Sequence, residues 1–478
     1  MQALRASRSA VAKHAPLDFE ADGARVKGLP RDNVLHIGAQ FGEGKRPPGF
    51  EDAADGPKPA RGRPRKAQAA PETSPTISPS ADHTDLAAAA DLAAGMERVG
   101  RKKVAARREA PVFAMPCAVE EVAPIDADRR RGRGATINPT GRFESEIRET
   151  VDDGWGSLEA LAPFKTQITM ERAKSIITRN DSPDVSFDRS INAYRGCEHG
   201  CVYCFARPTH SYMGLSPGLD FESRLFVKQG AAALLERELS SDKYQPRTIA
   251  MGTNTDPYQP IERVHRVTRS ILEVLSRTNH PVGIVTKSAS VVRDIDLLAP
   301  MAAQGLAKVA LSITTLDPVL ARSMEPRAAS PERRLEAIRR LTEAGIPTTV
   351  LVAPIIPAVN DAEIEKILEQ AYAAGAREAG YVMLRLPLEL EDIFGEWLLA
   401  HMPDRYRHVM SLVKSMRGGK AYESSWGKRM TGTGPYAWMT GRRFEIAAER
   451  IGFNKQRQKL RTDLFIRPVR KGEQLPLF

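Results

Sequence analysis

The sequence of 478 residues has few cysteines, few aromatic residues and no long apolar run. Four cysteines are too few, and too unevenly spread, for the disulfide framework of a small secreted protein. The most apolar segment, residues 348–359, is interrupted by Pro354 and Pro357 and falls short of the roughly 18 to 20 residues of a membrane helix. The first residues carry positive charge without the apolar core of a signal peptide, although a transit peptide stays open. We therefore expect a cytoplasmic protein with no membrane segment.

Tryptophan and tyrosine are absent from residues 1–128, which are rich in alanine, proline, glycine, arginine and lysine. Such a segment buries too little apolar surface to offset its ordering entropy, so it is predicted to be a mostly disordered basic tail. Residues 60–66 (ARGRPRK) resemble an AT-hook, which binds the minor groove of A·T-rich DNA, or form a solvated linker. The net charge of +11 favours an anionic partner without identifying it.

Strand-like and helical segments alternate in the rest of the chain. The strand-like segments are 188–194, 247–253, 281–287, 307–315, 347–355 and 380–387. The amphipathic segments are 230–241, 265–277, 289–304, 331–345 and 361–375. This alternation predicts a parallel sheet of six β/α units with right-handed crossovers, too few for a closed eight-stranded barrel. In the fourth of these helices, Gly345 is predicted to be the C-cap.

The pattern divides the chain into five parts. They are a disordered tail (1–128), an N-terminal extension packed on the core (129–182), the β/α core (183–418), a C-terminal extension (419–470) and a short terminal tail (471–478).

Cys197, Cys201 and Cys204 have the spacing C-x3-C-x2-C, which gathers three thiols into one loop. Three thiolates on a 4Fe-4S cluster leave one iron open to a small chelating molecule. The alternative is a zinc site completed by His199 or His210. His199 lies inside the chelate loop, which makes His210 the better zinc ligand.

The cysteine spacing, with the aromatic Tyr203 before the last cysteine, resembles the cluster motif of the radical S-adenosylmethionine (SAM) superfamily. Residues 177–454 are similar to its branch related to spore photoproduct lyase. The resemblance implies an α/β fold, a partial (β/α)6 TIM-type barrel with one open side and its site at the C-terminal ends of the strands. It also implies a 4Fe-4S cluster, SAM bound to the open iron and cleaved to a 5′-deoxyadenosyl radical, and an electron donor such as flavodoxin or ferredoxin.

The resemblance assigns seven residues to SAM: Tyr203, Thr253, Asn254, Thr255, Asp256, Lys287 and Ser312. Tyr203 would pack near the adenine, the residues from Thr253 to Asp256 would bind the methionyl amino group, and Lys287 would approach the carboxylate. Ser312 would contact the ribose or the carboxylate. Each has a structural alternative: a core aromatic for Tyr203, an Asx turn at Asn254 or Asp256, and solvent contact for Lys287 and Ser312.

Three more charged residues, Glu325, Arg327 and Arg385, lie by position near the open mouth, or form local ion pairs. The hydrogen-returning cysteine and tyrosine of spore photoproduct lyase correspond here to Thr253 or a neighbour and to Phe205. Neither side chain passes on a hydrogen atom as a thiol or phenol does, so thymine-dimer reversal by that route is not expected. Tyr258 is a candidate replacement.

Residues 420–444 interleave aromatic and basic side chains: Trp426, Tyr436, Trp438, Lys428, Arg429, Arg442 and Arg443. This composition suits base stacking with phosphate contact, or an ordinary cap on the barrel. The last five residues, Gln474 to Phe478 (QLPLF), resemble the peptide by which bacterial repair proteins bind the DNA sliding clamp. The alternative is a tail that packs on its own domain.

Together these features predict a radical SAM enzyme that acts on nucleic acid, by DNA lesion repair or base modification. Two alternatives stay open: a DNA-associated protein with a structural zinc site, and a radical SAM enzyme that acts on tRNA or protein.

Overall fold

A computed structural model describes residues 124–145 and 163–469. The predictions for most of the N-terminal tail, for the AT-hook-like segment and for residues 474–478 lie outside these residues. Cys117 lies outside them too.

Within the described residues, ten strands form two sheets. The strands are β1 (Gln167–Glu171), β2 (Ile177–Arg179), β3 (Arg189–Ile191), β4 (Tyr194–Arg195), β5 (Arg224–Lys228), β6 (Ile249–Met251), β7 (Val282–Thr286), β8 (Ala307–Ser312), β9 (Thr348–Ile355) and β10 (Glu378–Met383).

The larger sheet has the order β10-β9-β8-β7-β6-β3-β2. Strands β3 and β6 to β10 run parallel, and β2 pairs antiparallel with β3 at one edge. The register places Ile249 beside Val282, and Val282 beside Ala307. Since β2 and β10 are edges and do not pair, the sheet stays open, and the predicted partial barrel of six parallel strands is confirmed.

Helices connect the strands as the periodicity predicts. The α-helices of the described residues are α1 (Asp220–Ser223), α2 (Ala231–Leu239), α3 (Glu262–His265), α4 (Val267–Arg277), α5 (Ile295–Ala303), α6 (Pro318–Met324), α7 (Pro331–Glu343), α8 (Ile364–Ala373), α9 (Leu390–His401), α10 (Tyr406–Ser415) and α11 (Gly434–Ile451). The C-cap of α7 is Ala344, one residue before the predicted Gly345, which follows the helix in the left-handed region at φ +76° and donates its N–H to Thr342 O at 2.9 Å. The predicted helix 289–304 instead begins with a 3-10 turn, Ala289–Asp294, which Ser288 caps.

The core lies on both faces of the larger sheet. All six residues of β8 are buried, which is typical of a parallel strand covered by helices on both sides and fits its mainly apolar sequence. The charged residue of this strand, Lys308, is paired with Glu378 at the start of β10. No helix of the described residues is long and apolar enough to cross a membrane.

The smaller sheet, of order β1-β5-β4, lies at the N-terminal side of the site. Its last strand, β4, ends two residues before Cys197, so the sheet fixes where the cysteine loop begins. At the other end of the chain, α11 packs on α8, where Arg443 pairs with Glu365. Tyr436 donates its hydroxyl hydrogen to Asp361 at 2.6 Å. This extension covers the last β/α unit.

Candidate functional site

The cysteine loop (residues 197–204) turns on two glycines with positive φ. Gly196 has φ +73° and Gly200 has φ +69°, a conformation that favours glycine. A Cβ at Gly196 would lie 2.8 Å from Phe221 O, and one at Gly200 would lie 2.7 Å from the Glu222 carboxylate. The glycines therefore let the loop approach α1 closely.

A buried ion pair holds this loop in place. Arg207 donates hydrogen bonds to Gly200 O at 3.1 Å and Cys201 O at 2.9 Å, and pairs with Glu222 at 2.5 Å. The Glu222 carboxylate also accepts the N–H groups of Gly134 and Ala135, both at 2.8 Å. Sequence reasoning missed Arg207 and Glu222, because only the three-dimensional structure shows that they are fully buried. They fix the position of the loop without lying among the candidate ligands.

The loop after β6 braces the cysteine loop from the opposite side. Gln259 accepts the N–H of Glu198 at 2.9 Å and donates to Gly196 O at 3.2 Å. Thr255 donates its hydroxyl hydrogen to Tyr194 O at 3.1 Å. The start of the cysteine loop is thus held by hydrogen bonds from residues about sixty positions further along the chain.

The three cysteines are free thiols on the wall of one cavity of about 1270 Å³, open to solvent, which we call the cysteine cavity. Burial raises the pKa of all three thiols, and the negative charge of Asp256 raises that of Cys197 further. A cationic metal centre stabilises such thiolates, because the nearby positive charges of Lys287 and Arg207 only partly oppose the effect of burial on the pKa values of Cys201 and Cys204. Their number and chemistry therefore fit a three-thiolate iron–sulfur cluster.

The arrangement differs from a single-ion site. Within residues 124–145 and 163–469, no three His, Cys, Asp or Glu side chains converge closely enough to hold one metal ion. His210, the predicted zinc ligand, does not line the cysteine cavity. It packs against Phe221 and Phe226, its Nε2 lies 3.0 Å from Arg224 O, and burial lowers its pKa to about 4. His199 does line the cavity, with Nδ1 at 3.4 Å from Asp256.

All seven residues assigned to SAM line the same cavity as the cysteines: Tyr203, Thr253, Asn254, Thr255, Asp256, Lys287 and Ser312. Six of them reach it from the C-terminal ends of neighbouring parallel strands, with residues 253–256 after β6, Lys287 after β7 and Ser312 ending β8, and Tyr203 reaches it from the cysteine loop. The structure thus brings the residues together as expected, and their individual roles stay predictions.

Asp256 forms the Asx turn that was predicted as its alternative, structural role. One carboxylate oxygen accepts from Thr286 Oγ1 at 2.7 Å and from the Tyr258 N–H at 2.9 Å, which makes an Asx turn, and the other accepts from the Lys287 N–H at 2.7 Å. Burial alone would raise the pKa of Asp256, but His199 and these hydrogen bonds lower it to about 2. The Asp256 carboxylate therefore connects the segment after β6 with the end of β7 through Thr286 and with the cysteine loop through His199.

Asn192, which sequence reasoning missed, orders the polar residues after β6. Its side-chain oxygen accepts the N–H groups of Asn254 at 3.1 Å and Thr255 at 3.3 Å. Its amide nitrogen lies 3.4 Å from Thr253 Oγ1. Since Thr255 and Asp256 are engaged within the protein, Thr253 and Asn254 are the side chains of this group with hydrogen-bonding capacity left for a ligand.

Lys287 is a cation without an acidic partner among the described residues. Its Nζ lies 3.4 Å from Ala353 O and 5.7 Å from the centre of the Tyr203 ring. Burial lowers the pKa of Lys287, whose surroundings therefore favour an anion that compensates the ammonium charge.

Tyr203 lines the cavity, and its hydroxyl group is held by hydrogen bonds within the protein. Its hydroxyl group bonds to Glu325 and lies 3.2 Å from Thr314 Oγ1. Glu325 is buried and paired with Arg334, so it does not face the mouth, and the local ion pair is the correct alternative. Arg327 is paired with Glu198 at 2.8 Å and lies outside the cavity.

The mouth of the cavity carries an exposed aromatic ring beside a guanidinium group. Phe205 is 43% exposed, and Arg385 lies 4.7 Å from the centre of its ring. Arg385 also donates to the Tyr422 hydroxyl group at 3.3 Å and to Met430 Sδ at 3.4 Å. Tyr258, the candidate replacement in the hydrogen relay, is buried and does not line this cavity.

Most of the basic–aromatic segment of the C-terminal extension is engaged within the protein. Arg429 pairs with Asp184, Arg442 with Glu445 at 2.7 Å, and Arg443 with Glu365 at 2.9 Å. Trp426 is 61% exposed, and no ion pair forms at Lys428 within the described chain. This segment acts mainly as a cap on the barrel.

The sequence matches the family model described as the radical SAM superfamily over residues 191–371. An uncharacterised protein of Mycobacterium tuberculosis H37Rv is 38% identical over 228 residues, which cover 47% of this chain and 67% of that protein. One of Methanocaldococcus jannaschii is 31% identical over 199 residues, covering 42% of this chain and 71% of the relative.

Two solved structures are also similar to this chain. Spore photoproduct lyase complexed with dinucleoside spore photoproduct has a TM-score of 0.44 and 16% identity, covering 64% of this chain and 85% of the lyase. The radical SAM methyltransferase TsrM of Kitasatospora setae, with cobalamin and a 4Fe-4S cluster bound, has a TM-score of 0.30 and 16% identity, covering 41% and 34%. Similarities this low carry no argument about function.

Proposed function

Because the chain belongs to the radical SAM superfamily, we propose that Cys197, Cys201 and Cys204 hold a 4Fe-4S cluster whose fourth iron binds SAM. When bound and reduced, such a cluster supplies the electron that cleaves SAM into methionine and a 5′-deoxyadenosyl radical. The observation that carries this proposal is the placement of three free thiols, two buried and that of Cys204 half-buried, on one cavity wall together with all the residues assigned to SAM. A thiolate-bound cluster suits the reducing cytoplasm, and a flavodoxin or ferredoxin is the expected electron donor.

The residues of the cavity would orient SAM as follows. The Lys287 ammonium, which lacks an acidic partner among the described residues, pairs with the methionyl carboxylate. Thr253 and Asn254 accept from the amino group, because the side chains beside them are engaged elsewhere. The ring of Tyr203, fixed by Glu325, packs against the adenine, and Ser312 contacts the ribose.

Anaerobic reconstitution with iron and sulfide tests this proposal. The reconstituted protein, with dithionite as reductant, should cleave SAM to 5′-deoxyadenosine, and Cys204→Ala should abolish cleavage. Cys117→Ala is the matched control, since that cysteine lies outside the loop, and it should cleave SAM at the wild-type rate. Protein that carries zinc without iron or sulfide after purification from iron-replete cells would overturn the proposal in favour of a structural site.

We further propose that the substrate is nucleic acid, for lesion repair or base modification in DNA. Phe205 and Arg385 at the mouth offer a flat apolar ring and a guanidinium plane, which together suit a stacked base. The net charge of +11 and the clamp-like tail support the same class of substrate. The absence of a phenol at Phe205 argues against thymine-dimer reversal through the lyase relay.

A substrate screen separates DNA from the other two candidates, tRNA and protein. With SAM deuterated at the 5′-carbon, the true substrate should raise the yield of 5′-deoxyadenosine and exchange deuterium with it. Damaged duplex DNA should do so, whereas stimulation only by tRNA or peptide would refute the DNA proposal.

The terminal pentapeptide offers a separate test of the DNA context. We propose that Gln474 to Phe478 binds the DNA sliding clamp. A chain without these five residues should lose clamp binding in surface plasmon resonance, while a chain with Leu475 and Phe478 exchanged should keep its composition and also lose binding. Unchanged clamp affinity of the truncated chain would remove this part of the proposal.

A further inference from the structure

A second groove lies against the cysteine loop. It has a volume of about 1330 Å³, open to solvent, and we call it the arginine groove. The residues that matter for its chemistry are His199, Arg263, Arg327, Arg333, Glu336 and Arg340. Helix α7 and the 3-10 turn Ala289–Asp294 contribute to its walls.

The groove carries an excess of uncompensated positive charge. Arg263, Arg333 and Arg340 are exposed, and within the described parts of the chain none of them has an acidic partner. The other two charged side chains are neutralised: Arg327 by Glu198, and Glu336 by Arg339. Three free guanidinium groups therefore remain in one concave surface.

The groove and the cysteine cavity share a single lining residue, His199. This residue stands between Cys197 and Cys201 in the loop and is 2% exposed. Its backbone carbonyl accepts the N–H of Arg327 at 3.3 Å. One lining residue of the arginine groove thus belongs to the cysteine loop itself, whereas Phe205 and Arg385 line the cysteine cavity and not the groove.

The proposed reaction requires an electron from outside. Cleavage of the carbon–sulfur bond of SAM consumes one electron per event, and with SAM and substrate in the cysteine cavity a protein donor needs another approach to the cluster. Proteins that exchange electrons form small interfaces, below about 1200 Å², and oppositely charged surfaces steer their encounter.

We propose that the arginine groove docks a small acidic electron-carrier protein of the flavodoxin class. The carrier would give up one electron at the cysteine loop beside His199, where Cys197, Cys201 and Cys204 would hold the cluster that supplies this electron for SAM cleavage. This inference rests on the proposed radical SAM function. Nucleic acid is a less suitable occupant of the arginine groove. Its phosphates would lie in the groove while its base reacted in the cysteine cavity, and the two sites have only the lining residue His199 in common.

Reversal of two charges in the groove tests the docking. The double variant Arg263→Glu/Arg340→Glu of the reconstituted protein should bind a flavodoxin at least tenfold more weakly at low salt in isothermal titration calorimetry. The wild-type affinity should fall steeply as salt rises, because exposed charges are screened. The matched control Lys366→Glu/Arg407→Glu makes the same change in net charge at exposed residues that line neither cavity, and should keep the wild-type affinity.

A second readout separates docking from the proposed function. The ratio of flavodoxin-driven to dithionite-driven SAM cleavage should fall about tenfold in the groove variant and stay constant in the control. Failure of the wild type to cleave SAM with dithionite would refute the proposed function. Normal cleavage with dithionite, together with flavodoxin affinity that is absent or insensitive to the groove variant, would overturn the docking site alone. Loss of duplex DNA binding without loss of flavodoxin affinity would also overturn it, by assigning the groove to nucleic acid.

Discussion

Arg207 and Glu222 form a fully buried ion pair, with 2.5 Å between guanidinium and carboxylate, beneath the cysteine loop. The arginine binds two loop carbonyls, and the glutamate binds the backbone at Gly134 and Ala135. One pair of side chains therefore connects the candidate cluster loop, helix α1 and the N-terminal segment. The position of the three thiols depends on this pair.

Replacement of Glu222 by glutamine should destabilise the protein strongly. The guanidinium group of Arg207 would remain buried without its counter-charge, and the free energy of unfolding should fall by about 3–5 kcal/mol, as measured by anaerobic urea denaturation. Glu369→Gln removes the partner of Arg450 in an exposed pair and should change this free energy by less than about 1 kcal/mol. Similar losses in both variants would contradict the assigned role of the buried pair.

The fold was largely predictable because its signals are local. Each strand and helix of the core carries its own hydrophobic period, and the cysteines lie within eight residues of one another. The position of Lys287 after β7 likewise follows from a single strand and its end.

The residues that hold the site together were not predictable, because their partners lie far away in sequence. For Glu325 the sequence allowed either the open mouth or a local ion pair; it pairs with Arg334 and also bonds to Tyr203, 122 residues away in sequence. The hydrogen bonds of Gln259 and Asn192 join loops about sixty residues apart. The sequence alone does not identify the acidic partners of Arg429 and Arg443 in the C-terminal extension. The acidic groups that pair with these two arginines come from distant segments of the chain.

Loss of the charge on Lys287 should weaken SAM binding. A hydrogen bond to a charged group contributes about 1.5–3 kcal/mol, so Lys287→Met should raise the dissociation constant for SAM roughly 10- to 150-fold in equilibrium dialysis. Lys366→Met, at an exposed lysine of α8, should leave it unchanged. Equal affinities of the wild type and Lys287→Met would mean that this ammonium does not contact the ligand.

Two substitutions at Tyr203 distinguish its ring from its hydroxyl group. Tyr203→Phe removes the hydrogen bond to buried Glu325 and should lower the free energy of unfolding by about 1–3 kcal/mol while SAM affinity stays near the wild-type value. Tyr203→Leu also removes the aromatic surface and should weaken SAM binding. Unchanged SAM affinity in Tyr203→Leu would leave this residue as a core aromatic only.

His280 should make stability depend on pH below neutrality. Its ring is buried, with Nε2 at 2.8 Å from the Tyr244 hydroxyl group, and burial, assisted by the nearby charge of Arg189, lowers its pKa from 6.5 to about 3. Between these values the unfolded chain binds a proton that the folded chain does not, so the free energy of unfolding falls as the pH drops below about 6.5.

Denaturation curves at pH 7.5 and pH 5.5 measure this effect. His280→Gln should lose less stability between the two values than the wild type, whereas exposed His408→Gln should behave like the wild type. A wild-type pH dependence preserved in His280→Gln would assign the effect to another group.

The central claim is that the three cysteines leave one iron of the cluster open to SAM. Mössbauer spectroscopy of the 57Fe-reconstituted protein, with and without SAM, tests it most directly. The account predicts that SAM changes the spectrum of one iron site in each cluster and leaves the other three unchanged. A cluster whose four irons are all insensitive to SAM, because side chains occupy every position, would contradict it.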